Sequence, residues 1–143
     1  MIALALVLLS LTWLPLAGGD AELAHRFRLA IAIVDAGTTP HEGRILMRIA
    51  RFESNYRADV ADCRVTGDAG RSVGPWQHYD AAPALRACIC GNLTCAARVA
   101  REDVRRSVAL CKHLPEAERL AAYTRGRCDS AEGKRLSRAR WAQ

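Results

Sequence analysis

Glu53 is the residue whose type and position in this sequence suit it best to chemistry. It follows Leu46 by seven positions and Ile49 by four, so on a helix it continues an apolar stripe while Arg48 and Arg51 face water. A carboxyl in that setting is desolvated, and the negative end of the helix dipole adds to the effect, so its proton affinity rises toward neutrality. Such a group can act as a general acid, giving its proton to a leaving oxygen as in glycosidic bond cleavage. The ordinary alternative is a glutamate at a helix end that solvent or a neighbouring arginine satisfies.

A hydrolase with two carboxylates needs the second about 5 to 9 Å from the first. Asp59, Asp62 and Asp68 follow in the next segment, and Asp68, inside a glycine-rich turn, is the best placed, although turns attract aspartate for backbone reasons alone. Trp76 offers a flat apolar ring on which a pyranose can stack, and the Tyr123 hydroxyl can orient Glu53 or touch a sugar; both side chains are equally at home in a core.

Cys63, Cys88, Cys90, Cys95, Cys111 and Cys128 form an even set, which in an oxidising compartment points to disulfides of open connectivity. A bond from Cys63 to the 88–95 cluster would hold the loop beside Glu53 and stabilise it by roughly 2 to 4 kcal/mol. A metal site built from Cys88, Cys90, Cys95 and His113 lacks the paired C-x-x-C spacing, so neither a metal nor a cofactor is expected.

The elements that must position these residues are helical. Leu23, Phe27, Ile31 and Val34 recur at helical spacing, with Asp20 as N-cap and Gly37 as a stop. Thr39, Pro40 and Glu42 form a capping box with proline at the first helical position, opening a helix through Ile45, Leu46, Ile49 and Phe52 to about Glu53. Between 55 and 77 the periodicity disappears and Gly67, Asp68, Gly70, Gly74 and Pro75 accumulate, which predicts a loop or short β-hairpin over 57–78.

Next come a short helix through Leu85, a cysteine-rich turn at 88–95, and a longer helix with Ala97, Ala100, Val104, Val108 and Cys111 on one face. Pro115 can open a helix through Leu120 toward Tyr123, and Asp129 to Glu132 is a capping signature ahead of Leu136 and Trp141. The basic run 134–140 reads as a solvated helix face. The fold class is therefore mainly α.

With 143 residues, half of them hydrophobic, the chain can bury one core. Residues 1–19 are uncharged and apolar, with Pro15 and a small-residue exit at Ala17, which reads as an export signal; an uncleaved anchor needs only slightly more length, about 20 residues. The functional domain is then 20–143, secreted or periplasmic, and expected to act as a monomer. The net charge of +6 falls wholly within it and favours anionic partners such as peptidoglycan, teichoic acid, anionic lipid or nucleic acid. Export argues against nucleic acid, and membrane attachment is expected only if the first segment is kept. Arg98, Arg101, Arg105 and Arg106 motivate a separate membrane-active reading.

Three short motifs carry a resemblance. Glu53-Ser54-Asn55-Tyr56 resembles the Glu-Ser-x-aromatic motif of the soluble lytic transglycosylases and goose-type lysozymes. Ser72-Val73-Gly74-Pro75-Trp76-Gln77 is similar to that group's second motif, a small residue followed by Gly-Leu-Met-Gln, with Pro75 and Trp76 departing from it. Ala122-Tyr123-Thr124-Arg125-Gly126 is a partial counterpart of its Ala-Tyr-Asn-x-Gly motif, with Thr124 in place of asparagine. The order of the three, over about residues 39–127, is more specific than any one of them. The segment 68–77 is also similar to the Gly-Pro-aromatic-Gln segment of the cysteine-rich invertebrate-type lysozymes.

The resemblance implies a small lysozyme-like domain that acts on peptidoglycan glycan strands, with Glu53 as catalytic acid and Ser54, Ser72, Trp76, Gln77 and Tyr123 about the glycan. It further implies attack by the sugar's own 6-hydroxyl, leaving a 1,6-anhydromuramyl end and needing no second acid. Attack by water would instead make a muramidase, with Asp68 as possible second carboxylate. The departures in the second and third motifs leave a non-catalytic wall-binding protein as the alternative.

Overall fold

The computed structural model describes residues 1–141, the side chain of Thr124 aside. It is a mainly helical domain stapled by disulfides, as expected. The apolar N-terminal segment forms α1 (Ile2–Trp13), which packs against α2 (Gly19–Asp35) and places Leu6 and Val7 in the core. Arg26 of α2 is fully buried and donates to the carbonyls of Ser10 and Leu14, at 3.1 and 2.6 Å, with Glu22 as its ion-pair partner. A guanidinium there adds a second donor to the Ser10 carbonyl, which already accepts from Leu14 N at 3.0 Å, and sits at the negative end of the α1 dipole. No helix among the described residues is long and apolar enough to cross a membrane.

Asp20 does not cap α2. Gly18 holds the cap position, and the longer Glu22 side chain reaches back to accept from the backbone N–H groups of Ala17 and Gly18 at 3.0 and 2.8 Å. At the other end Gly37 takes a φ of +75° and stops the helix.

α3 (Pro40–Ser54) opens on the expected capping box: Thr39 Oγ1 accepts from Glu42 N at 3.2 Å, and Glu42 accepts from Thr39 N at 2.7 Å. Ile45, Leu46 and Ile49 are fully buried, whereas Phe52, expected on the same stripe, is 46% exposed. At about 100° per residue Glu53 falls near the centre of that stripe and Phe52 at its edge, which explains the difference. α3 is the hub of the domain, touching α1, α2 and two later helices, Leu93–Leu110 and Ala131–Arg140.

The 57–78 region contains two helical turns that the lost periodicity did not predict, α4 (Ala58–Ala61) and a 3-10 turn at Asp68–Gly70. The expected hairpin follows as β1 (Ser72–Val73) and β2 (His78–Tyr79), antiparallel, with Ser72 opposite Tyr79 and Val73 opposite His78. The cysteine-rich segment is less of a turn than expected. α5 (Pro83–Gly91) carries Cys88 and Cys90, and only Asn92 breaks the chain before α6 (Leu93–Leu110), whose N-terminus it caps by accepting from Cys95 N at 3.0 Å. Ala97, Ala100, Val104 and Cys111 are buried as predicted.

Pro115 starts only a 3-10 turn at Glu116–Glu118, and Tyr123 lies on the short α7 (Ala121–Arg125). α8 (Ala131–Arg140) is capped by Ser130, one residue beyond the expected Asp129, with Ser130 Oγ accepting from Gly133 N at 3.1 Å. The basic run is not simply a solvated face, because Ser137 and Arg140 are buried. Residues 142 and 143 of the expected 20–143 domain lie outside the described residues.

Three disulfides join these parts: Cys63 to Cys90, Cys88 to Cys95, and Cys111 to Cys128. The first connects the loop after α4 to α5, as the position of Cys63 predicted. With the six cysteines paired, none offers a thiolate to a metal. The disulfides fit an oxidising compartment.

Candidate active site

Glu53 sits in the last turn of α3, where the chain must turn sharply. Asn55 and Tyr56 both take positive φ, 50° and 57°, a conformation rare for a bulky side chain. The buried Tyr56 ring, with the Arg26 guanidinium 4.5 Å from its centroid, holds that turn in place. The Glu53 side chain is left on the wall of an open cavity of about 840 Å³, only 22% exposed.

Burial raises the Glu53 pKa above the ordinary glutamate value, and the nearby negative charge of Asp68 adds to the rise. Arg140 opposes both. Its guanidinium, from the last turn of α8, is ion-paired to Glu53 Oε1. The balance leaves the carboxyl raised, as the helical pattern predicted, and the ordinary alternative holds in part, because an arginine, here one from α8, satisfies one of its oxygens.

The hairpin region supplies the facing wall. Asp68 accepts a hydrogen bond from Ser72 Oγ at 2.5 Å, which fixes the carboxylate at the cavity edge. Gly74 has a φ of +77°, and a Cβ there would lie 2.6 Å from the buried Ile89 side chain, so glycine is required twice over. Gln77, also at positive φ, donates to the Gly74 carbonyl at 2.9 Å and lines the cavity. His78 lines it next, its Nδ1 3.4 Å from Asp103 of α6.

Tyr123 closes the site from α7. Its hydroxyl donates to the Trp76 carbonyl at 3.2 Å, and burial, with the charges of Glu53 and Asp103 nearby, pushes its pKa upward so that it stays a neutral phenol. Leu136 and Arg140 from α8 complete this side. α8 can come so close because Gly133 faces the Ala121 carbonyl, which a Cβ would meet at 2.8 Å.

No protein-family model, curated protein or solved structure matches the chain.

The structure thus brings Glu53, Asp68, Ser72, Gln77 and Tyr123 into one cavity, although they are spread over 71 positions of sequence, from 53 to 123 counted inclusively. Three expectations need correction. Trp76 belongs to the cavity floor, but at 1% exposed, with its indole N–H donated to the Leu46 carbonyl, it presents no ring face for a sugar. Ser54 is buried and donates to the Ala50 carbonyl at 2.8 Å, outside the cavity lining, as a small polar residue in a helix tends to do. Asp59 and Asp62 pair with Arg57 and Arg64 and do not line the site either. The side chain of Thr124 lies outside the described ones.

Of the α6 arginines, Arg101 donates to the Gly37 carbonyl, Arg105 pairs with Glu42, and Arg106 pairs with Asp103. The Arg105 and Arg106 side chains remain 43% and 76% exposed in these pairs, so the basic face of α6 stays open to solvent. The sequence missed Arg71, His78, Asp103, Arg125 and Arg140 as cavity residues. For Arg140 a signal existed: Gly133 and Ser137 are small residues at helical spacing, the mark of a face packed closely on a neighbour, and Arg140 continues that face.

Proposed function

We propose that this protein is a peptidoglycan lytic transglycosylase that cleaves the β-1,4 bond between N-acetylmuramic acid and N-acetylglucosamine. The observation that carries the reading is the burial of Glu53, with a raised pKa, on the wall of an open cavity that also holds Asp68, Gln77 and Tyr123. A protonated carboxyl at such a wall can donate to a glycosidic oxygen, and a polar cleft can accept a glycan.

In the proposed reaction Glu53 gives its proton to the bridging oxygen as the bond from that oxygen to muramyl C1 breaks. The N-acetylglucosamine leaves with a new hydroxyl. The Glu53 carboxylate then takes the proton of the muramyl 6-hydroxyl while its oxygen bonds to C1, which closes the 1,6-anhydro ring and returns Glu53 to its starting state. The glycan supplies its own nucleophile, so one carboxyl suffices. The export-like leader and the three disulfides support action in the cell envelope or outside the cell.

A hydrolytic muramidase is the second reading, favoured by one observation: Asp68 shares the cavity and its charge bears on Glu53. The proposal is tested by incubating purified peptidoglycan with the oxidised full chain and with Glu53→Gln. Soluble fragments released by the first and not by the second are the expected outcome; equal release from both would remove Glu53 from the chemistry.

A further inference from the structure

We propose that Arg140 is a positioning residue for Glu53: its guanidinium, carried by the last turn of α8, engages one carboxyl oxygen and thereby assigns the reactive proton to the other. The inference rests on the reading of Glu53 as a general acid and extends it to a residue at the opposite end of the chain.

The geometry is specific. Arg140 pairs with Oε1 of Glu53, and a guanidinium is a pure donor that keeps its charge at any pH a protein tolerates. Oε1 therefore accepts, and a proton on the carboxyl resides on Oε2. Without that contact, either oxygen could carry the proton and the group could rotate. The Arg140 side chain is only 7% exposed, so little solvent screens the pair.

α8 is built to hold this contact. Ser137 Oγ accepts from Leu120 N at 2.9 Å and donates to the Ala117 carbonyl at 2.7 Å, fixing the middle of the helix. Arg48 of α3 donates to the Ala139 carbonyl at 3.0 Å, one residue before Arg140, so the helix of the acid and the helix of the arginine are joined beside the pair.

The contact also suits a group that must be acid and then base. When Glu53 has given up its proton, a bare carboxylate in a partly buried site is costly, and an adjacent cation stabilises it. The other charged or titratable groups on the cavity wall are Asp68, Arg71, His78 and Tyr79 from the hairpin region, Asp103 from α6, and Tyr123 and Arg125 from α7. Asp68 acts on Glu53 in the opposite direction to Arg140.

The test uses the oxidised full chain, Arg140→Met and Arg140→Lys. Two quantities are followed against pH: release of peptidoglycan fragments, and the 13C shift of the Glu53 carboxyl. Loss of a neighbouring cation should raise the Glu53 midpoint by about 1 to 3 pH units in Arg140→Met, move the alkaline limb of the rate profile up with it, and lower kcat. Arg140→Lys, which keeps the charge, should bring the midpoint back toward that of the unsubstituted chain. A folded Arg140→Met with an unmoved midpoint overturns the proposal, and so does a rate limb that stays put while the midpoint moves. If Arg140→Met does not fold, the unsubstituted chain decides: the Arg140 guanidinium proton resonances should titrate at the Glu53 midpoint, and indifference to it overturns the proposal. Absence of fragments from the unsubstituted chain at every pH would instead sink the transglycosylase reading, while the carboxyl titration still reports on Arg140.

Discussion

Trp76 donates its indole N–H to the Leu46 carbonyl at 2.8 Å, fastening the turn of the hairpin to the middle of the helix whose last turn carries Glu53. Through its own carbonyl the same residue accepts the Tyr123 hydroxyl. Three separate stretches of chain thus meet at Trp76, which itself lines the cavity.

Replacement of Trp76 should therefore act first on stability. Trp76→Phe keeps most of the buried ring and loses the indole donor, with an expected loss of about 1 kcal/mol. Trp76→Ala also leaves a cavity, and about 3 to 5 kcal/mol is expected. Urea unfolding of the two variants measures both. If instead Trp76→Ala unfolds like the unsubstituted protein and only glycan affinity drops, the indole is a sugar platform after all.

Asp68 separates the two mechanisms. Its negative charge raises the Glu53 pKa, so Asp68→Asn should lower it. Because the acid must be protonated to act, activity falls as pH rises through that pKa, and the alkaline limb in Asp68→Asn should lie at lower pH. Asparagine tolerates the positive φ of this position and can still accept from Ser72. A transglycosylase should keep its activity on the acid side of the limb to within a few-fold. A hydrolase that uses Asp68 should lose about 100-fold or more at every pH, the scale typical of removing a general base.

The helical frame was legible because α3 and α6 have strong local signals, a capping box in one and small residues on a single buried face in the other. The Glu53 site was legible in part for the same reason: its placement on the apolar stripe of α3 follows from spacing alone. Arg140 was legible only as the continuation of the small-residue face of Gly133 and Ser137; its partner was not, since that depends on where α8 docks. His78 and Asp103 likewise meet only through the tertiary fold. Trp76 was misjudged because an aromatic beside a cleft motif can form the floor as readily as the face, and sequence does not show its depth.

Gly67 controls a second cavity residue. A Cβ at this position would lie 2.4 Å from Gln77 Oε1, while the backbone of Gly67 itself, with φ of −95°, is open to any residue. The expected result for Gly67→Ala is a displaced Gln77 side chain, so KM for glycan rises with kcat less affected. Stability should change little, because the entropy gained from the stiffer unfolded chain, about 0.4 to 1 kcal/mol, offsets the local shift. Unchanged KM would take Gln77 out of substrate binding.

The Cys63–Cys90 bond closes a sequence separation of 27 that includes the hairpin. The double variant Cys63→Ser/Cys90→Ser should be less stable by about 2 to 4 kcal/mol in urea, the usual range for a native bond. Activity should fall at temperatures where the full domain is still folded, since the hairpin wall loosens first. Calorimetry paired with fragment release across temperature checks both statements.

The most direct test of the central claim is the chemistry of the ends. Peptidoglycan digested by the oxidised full chain, beside Glu53→Gln, is resolved by mass into individual muropeptides. The account predicts 1,6-anhydromuramyl ends from the unsubstituted chain and none from Glu53→Gln. Reducing muramyl ends, one water heavier, would contradict the transglycosylase and make the protein a muramidase; no products from a folded chain would contradict glycan cleavage altogether.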